Sequence, residues 1–166
     1  DPRDVAPSLA KHLGVDLDTT VDYMCDRYRM LKADQIRCGD LLSSWDAHVN
    51  SYLNSDSHNV LWLQYEAMRE NPVESFSLIL RHAGIEPDRA RVEAALEKVS
   101  LSKLRELEAE QGFAESSPHA KNQFFGEGTI GNDKLTICQR YTLEREFKRP
   151  MKRLGYLENA KVSKWH

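Results

Sequence analysis

The run Asn59-Val60-Leu61-Trp62-Leu63-Gln64-Tyr65 decides the fold class. Its middle is apolar at every position, so both faces of an extended chain would be buried. That is the pattern of a strand inside a parallel sheet rather than of a half-exposed ribbon. Turn-forming residues, Asn54-Ser55-Asp56-Ser57, precede it, and Asn71-Pro72 lies just beyond it. One buried strand cannot stand alone, because its amides and carbonyls need partners. Nothing else in the chain reads as a central strand, so the partner strands come from sequence outside these residues, the favoured reading, from another copy, or from a segment that only looks helical.

Outward from this run the sequence is helical. Residues 1–14 start as a capped helix, with Asp1 as the cap, Pro2 at the first position and Gly14 as the stop. Pro7 predicts a kink or a late start, since an interior proline removes a backbone donor. Val21, Met24, Cys25, Tyr28 and Leu31 recur at helical spacing, predicting a helix from Asp16 or Asp18 to about Gly39. A third helix is expected after Asp40, with Leu41, Trp45, His48, Val49 and Tyr52 on one face.

Downstream of the strand, Asn71-Pro72 opens a helix that ends at Gly84, with Val73, Phe76, Ile79, Leu80 and Ala83 inward. Pro87 opens the next, through Val92, Ala95, Leu96 and Val99, and Leu101 to Glu110 forms a charged one. A loop from Gln111 to about Lys134 contains four of the eight glycines. The last helix runs from Thr136 to Leu154 with an interruption at Pro150.

Composition bounds the chemistry. The 166 residues are 40% hydrophobic and 30% charged, an ordinary globular balance. No apolar run approaches the ~20 residues that cross a bilayer. A net charge of −3 argues against a nucleic-acid binder, whose footprint is a basic excess. Cys25, Cys38 and Cys138 are too scattered for a disulfide framework or zinc site and read as reduced, mostly buried thiols. The chain opens without an initiator Met or a signal peptide, so the compartment is not readable from this end; a soluble, cytoplasmic setting is the expectation.

Few motifs carry chemistry on their own. Gly126-Glu127-Gly128-Thr129-Ile130-Gly131 matches G-x-G-x-x-G, but it lacks the preceding strand and the helix that a dinucleotide fingerprint needs. A loop contacting phosphate in another way, or a plain flexible loop, fits better. The last helix carries Arg140, Arg145, Lys148, Arg149, Lys152 and Arg153 against Glu144 and Glu146. This is a solvated face with cations near its C-terminal end, or a surface drawing in an anion. His48 reads as a structural histidine and His119 as an exposed one. No Ser-His-Asp arrangement, metal-spaced cluster or Walker-type loop is present.

Taken in order, several segments resemble a sulfotransferase that uses 3′-phosphoadenylyl sulfate (PAPS). Asp1-Pro2-Arg3-Asp4-Val5-Ala6-Pro7-Ser8 resembles the 3′-phosphate motif R-[ND]-P-[RK]-D-V-A-x-S, with Ser8 as its serine. The motif's arginine would lie immediately before Asp1. Ser44-Trp45-Asp46-Ala47-His48-Val49 is similar to G-S-W-x-x-H-V, and Val60 to Glu66 to the strand ending in Y-E-D. Val99-Ser100-Leu101 resembles T-S-F, Gly128 and Gly131 fall on the glycines of R-K-G-x-x-G-[DN]-W-K, and Arg153 to Leu157 resembles the L-G-Y end.

The resemblance implies an α/β, P-loop-kinase-like fold of which this chain is mostly helical with one or two parallel strands. It implies a single domain over 1–166, incomplete at its N-terminus. The implied reaction is sulfuryl transfer from PAPS to a hydroxyl or amine of a small-molecule or glycan acceptor. The implied nucleotide contacts are Ser8 on the 3′-phosphate, Tyr65 and Ser100 at the adenine, Leu101 on its face, and the backbone of Gly126, Glu127 and Gly128 over the phosphate. The donor loop and the catalytic base are expected upstream, so no catalytic residue is assigned and these residues alone are expected to be inactive. Gly126-Glu127 replaces an Arg-Lys pair, Leu101 an aromatic, and Asp133 a tryptophan. Glu127 beside a phosphate favours an alternative, a non-catalytic helical interaction module.

Overall fold

The computed structural model describes residues 1–31, 40–54, 59–112, 125 and 134–157. They form two compact units, one from residues 1–31, 40–54 and 134–157, the other from 59–112 and Phe125.

The first unit opens with helix α1 (Pro2–Leu13). Asp1 caps it by accepting from the Arg3 amide at 2.9 Å, and Gly14 closes it in the left-handed region at φ 68°. The late start is not found: the helix begins at Pro2 and continues through Pro7. The proline removes the bond to the carbonyl of Arg3.

Helix α2 (Leu17–Cys25) begins at Asp16, whose carboxylate takes both the Thr19 amide and the Thr19 hydroxyl at 2.8 Å. It does not reach Gly39. Asp26 bends the chain by accepting from the Tyr28 amide at 2.8 Å, an Asx turn that competes with a further helical turn. The chain then pairs as β1 (Met30–Leu31) with β2 (Asp40–Leu41), antiparallel, with Met30 opposite Leu41. The helix expected directly after Asp40 therefore starts later, as α3 (Trp45–Leu53). Ser43, at φ 59°, turns the chain into it and donates its hydroxyl to the Arg27 carbonyl at 3.0 Å.

Helices α8 (Ile137–Glu146) and α9 (Lys148–Arg153) complete this core. Thr136 and Gln139 form a reciprocal capping box at the start of α8. Gln139 also donates to Asp18 at 2.7 Å, fastening α8 to α2. The interruption expected at Pro150 falls at Phe147 instead. A proline acts on the carbonyl four residues earlier, here Glu146, so the break precedes the ring. Gly155, at φ 81°, ends α9, with the Tyr156 amide reaching the Met151 carbonyl at 2.8 Å.

The core joins Ala6, Val21, Met24, Leu135, Leu143, Phe147 and Met151. Phe147, Leu143 and Met151 are completely enclosed, and the Trp45 ring lies 5.2 Å from that of Phe147. Cys25 is half-buried at its edge, but Cys138 is exposed, which corrects the expectation of mostly buried thiols; Cys38 lies outside the described residues.

The second unit is α4 (Tyr65–Glu70), α5 (Pro72–His82), α6 (Arg89–Lys98) and α7 (Leu101–Gln111). Helix α5 starts at Pro72 as expected and stops through Gly84 at φ 74°, with the Ile85 amide on the Leu80 carbonyl. Helix α6 begins two residues past Pro87, capped by Asp88 on the Arg91 amide. Of the expected inward set on α5, Phe76 and Ala83 are exposed, whereas Ser75 and Ser77 are buried.

The parallel strand expected over 59–65 is not formed. Val60 to Gln64 carries no regular secondary structure, and Tyr65 already belongs to α4. The only ladder among the described residues is the antiparallel pair β1–β2. The reason is the one that makes a lone strand untenable: Val60, Leu61, Trp62 and Leu63 are half-buried, but no neighbouring strand among the described residues pairs with their backbone groups.

Candidate functional site

Ser8 lies on the exposed side of α1, because Ala6 and Ala10 turn the opposite side into the core. Its helix is anchored by a residue that sequence reasoning missed. Arg3 donates Nε and Nη2 to the carboxylate of Asp1, Nη1 to Glu144 Oε1 at 2.7 Å, and Nη2 also to the Tyr156 carbonyl at 3.0 Å. One guanidinium thus ties the cap of α1 to α8 and to the turn after α9. No local pattern announces a bond spanning 141 residues.

In the second unit, Tyr65 is the first residue of α4 and half of its surface is open to solvent. Ser100 is the cap position of α7, but its hydroxyl faces Ser102 Oγ at 3.2 Å rather than an amide of the first turn. Leu101 follows, half-buried. Along α7 only Leu101, Leu104, Arg105 and Glu108 are shielded, which is one helical face. Phe125 lies against that face: its amide donates to Glu108 Oε2 at 3.0 Å, and Arg105 Nε donates to its carbonyl at 3.2 Å.

The structure therefore places Ser100 and Leu101 at the start of α7 and Phe125 against the side chains of Arg105 and Glu108 on the same helix. Among the described residues no hydrogen bond or ring contact joins Tyr65 to them. Ser8 belongs to the other unit. Gly126, Glu127 and Gly128 lie outside the described residues, as does His119. His48, expected on an apolar face, is exposed, with its ring edge-on to Tyr52 at 5.4 Å. Ser44 of the Ser-Trp segment is buried and donates to Asp46 at 2.6 Å, while Asp46 pairs with Arg27.

Ionisation is perturbed away from this face. Burial pushes the Cys25 thiol up to about 11, with the charges of Glu146, Asp22 and Asp46 adding to it. Asp16 is held below its ordinary value by its two bonds from Thr19. No group of three His, Cys, Asp or Glu residues able to hold a metal occurs among the described residues. Among them, no helix is long and apolar enough to cross a membrane.

The sulfotransferase domain family matches residues 1–155. This chain belongs to that family. The match takes in Ser8, Tyr65, Ser100 and Leu101 and stops at Gly155, the residue that closes α9. No curated protein matches the chain. Within the sulfotransferase domain, the hydroxyl, phenol and apolar groups at Ser8, Tyr65, Ser100 and Leu101 are accessible or half-shielded donors and surfaces, not core side chains.

Proposed function

We propose that the protein is a PAPS-dependent sulfotransferase acting on a hydroxyl or amine of a small-molecule or glycan acceptor. The observation that carries this reading is the family match, which spans the whole Ser8-to-Leu101 series in order. PAPS supplies the activated sulfuryl group.

This chain's own residues hold the nucleotide end of that donor. Ser8 donates to the 3′-phosphate from the outer face of α1, and Arg3 keeps that helix in place through Asp1 and Glu144. Ser100 offers a hydroxyl that is not consumed in capping α7. Leu101 and Tyr65 give apolar and aromatic surface for the adenine. The Gly126–Gly128 backbone supplies amide donors in place of the Arg-Lys pair. Proton removal from the acceptor and neutralisation of the leaving oxygen fall to groups outside these residues.

Titration of 3′-phosphoadenosine 5′-phosphate into the protein tests the reading. Binding in the micromolar range, weakened at least about tenfold by Ser8→Ala, is expected from the loss of one charge-assisted bond. No heat or thermal shift at millimolar nucleotide would overturn it. That outcome would favour the second reading, a non-catalytic module, whose supporting feature is Glu127 where a cation is expected.

A further inference from the structure

We infer that the outward stripe of α8 and α9 is a docking surface for an anionic membrane face, with Ile137 and Tyr141 at one end and Lys148, Arg149 and Lys152 at the other. The inference is independent of the nucleotide reading above, which uses none of these residues.

The stripe follows from the register of the two helices. Leu143, Phe147, Pro150 and Met151 are buried and fix the inner side. The break at Phe147 does not reset the phase: its amide reaches the Leu143 carbonyl at 2.9 Å, and the Met151 amide reaches the Phe147 carbonyl at 3.0 Å. At ~3.6 residues per turn, positions 137, 138, 141, 145, 148, 149 and 152 then lie along the side opposite the core, over about 22 Å. Ile137, Cys138, Tyr141, Arg145, Lys148 and Arg149 are exposed, and Lys152 is half-buried.

No acidic residue occupies this stripe. The two that flank it are already paired, Glu144 with Arg3 and Glu146 with Arg145, each at 2.7 Å. Arg145 is thereby balanced, but among the described residues no hydrogen bond or ion pair engages Lys148, Arg149 or Lys152. These three positive charges stand together on a chain whose net charge is −3, so the field is a local feature and not the general adhesion of a basic protein.

Charge alone would suit any polyanion; the apolar end selects among them. Ile137 is 88% exposed and Tyr141 62%, on the same side as the cations. An anionic bilayer face satisfies both ends at once. Its headgroups meet the cations, hydrocarbon just beneath takes Ile137, and the boundary between them suits the apolar ring and polar tip of Tyr141. Lipid headgroups carry no fixed register, so the uneven spacing of Lys148, Arg149 and Lys152 needs no matching pattern. A nucleic acid would supply the anions without the apolar layer.

Co-sedimentation of the 166-residue chain with vesicles of phosphatidylcholine, with and without phosphatidylserine, tests this. Wild type should bind the phosphatidylserine vesicles preferentially and be released by added salt. A triple variant, Lys148→Gln with Arg149→Gln and Lys152→Gln, should bind at least about tenfold more weakly, as expected for three cations withdrawn from an anionic surface. Ile137→Ser should weaken binding about three- to tenfold at the same phosphatidylserine content. Should the triple variant lose its cooperative melting transition, Lys148→Gln alone decides, since that side chain is exposed: weaker binding supports the inference and unchanged binding overturns it. Binding indifferent to phosphatidylserine, or undiminished in the folded triple variant or in Ile137→Ser, would overturn it as well. A wild type that ignores both vesicles also overturns it; capture by polyglutamate would then assign the stripe to an acidic polypeptide, and self-association lost in Ile137→Ser would assign it to a second copy.

Discussion

Arg3 Nη1 and Glu144 Oε1 meet at 2.7 Å, joining the first turn of α1 to α8 across 141 residues of sequence. Both side chains are partly shielded, and the same guanidinium serves Asp1 and the Tyr156 carbonyl. The pair therefore differs from the exposed ion pairs of Arg89 with Glu74 and Glu93, which contribute little. Arg3→Met should lower unfolding free energy by about 2 kcal/mol, the range for charge-assisted bonds left unmade. Urea unfolding of Arg3→Met, Glu144→Gln and the double variant reads this, with the double variant expected to lose less than the sum.

Phe147 is enclosed by core side chains and stacked at a tilt on Trp45. Phe147→Ala should cost about 3–5 kcal/mol. Its thermal midpoint and tryptophan emission should shift together, because the ring removed is the one that shields Trp45. A variant as stable as wild type would contradict the packing described.

The Cys25 thiol, pushed up to about 11 from 9, gives a pH dependence with a definite sign. The folded state holds its proton where the unfolded state has lost it. The stabilising contribution is complete below pH 9 and is lost as pH rises through about 11. Replacing Cys25 with Ala should flatten that alkaline slope in melting curves. At neutral pH, native alkylation followed by mass spectrometry should label exposed Cys138 well before Cys25.

Asp16 has the opposite sign. Its carboxyl titrates below the ordinary 3.8 because its ionised form accepts from Thr19. The contribution is present above 3.8 and is lost as pH falls below it. Asp16→Ala should be less stable than wild type at neutral pH, and the two melting curves should converge in acid.

Leu101 offers a gain-of-function check on the adenine surface. Leu101→Phe restores a ring and should tighten nucleotide binding about two- to tenfold, the range for an added aromatic stacking contact. Weaker binding in a folded variant would place the base elsewhere.

Helix ends were legible where one residue type carries the signal. Asp1 with Pro2, Pro72 with Gly84, and Thr136 each stand where local chemistry puts them. The end of α2 was not, because the apolar spacing of Val21, Met24, Cys25, Tyr28 and Leu31 continues past a turn that one Asp26 bond imposes. The apolar run at Val60 read as a strand because burial pattern and hydrogen-bond partners are separate requirements, and only the first is written in the run itself. Ser8, Tyr65, Ser100 and Leu101 are singled out by family resemblance alone. The anchoring contacts of Arg3 were not legible, since they reach a side chain and a carbonyl brought near only by the fold.

Among the described residues the amides and carbonyls of Val60 to Leu63 have no protein partner, which leaves them to solvent. These four amides should therefore trade their hydrogens with water sooner than those inside α5, despite the apolar side chains beside them.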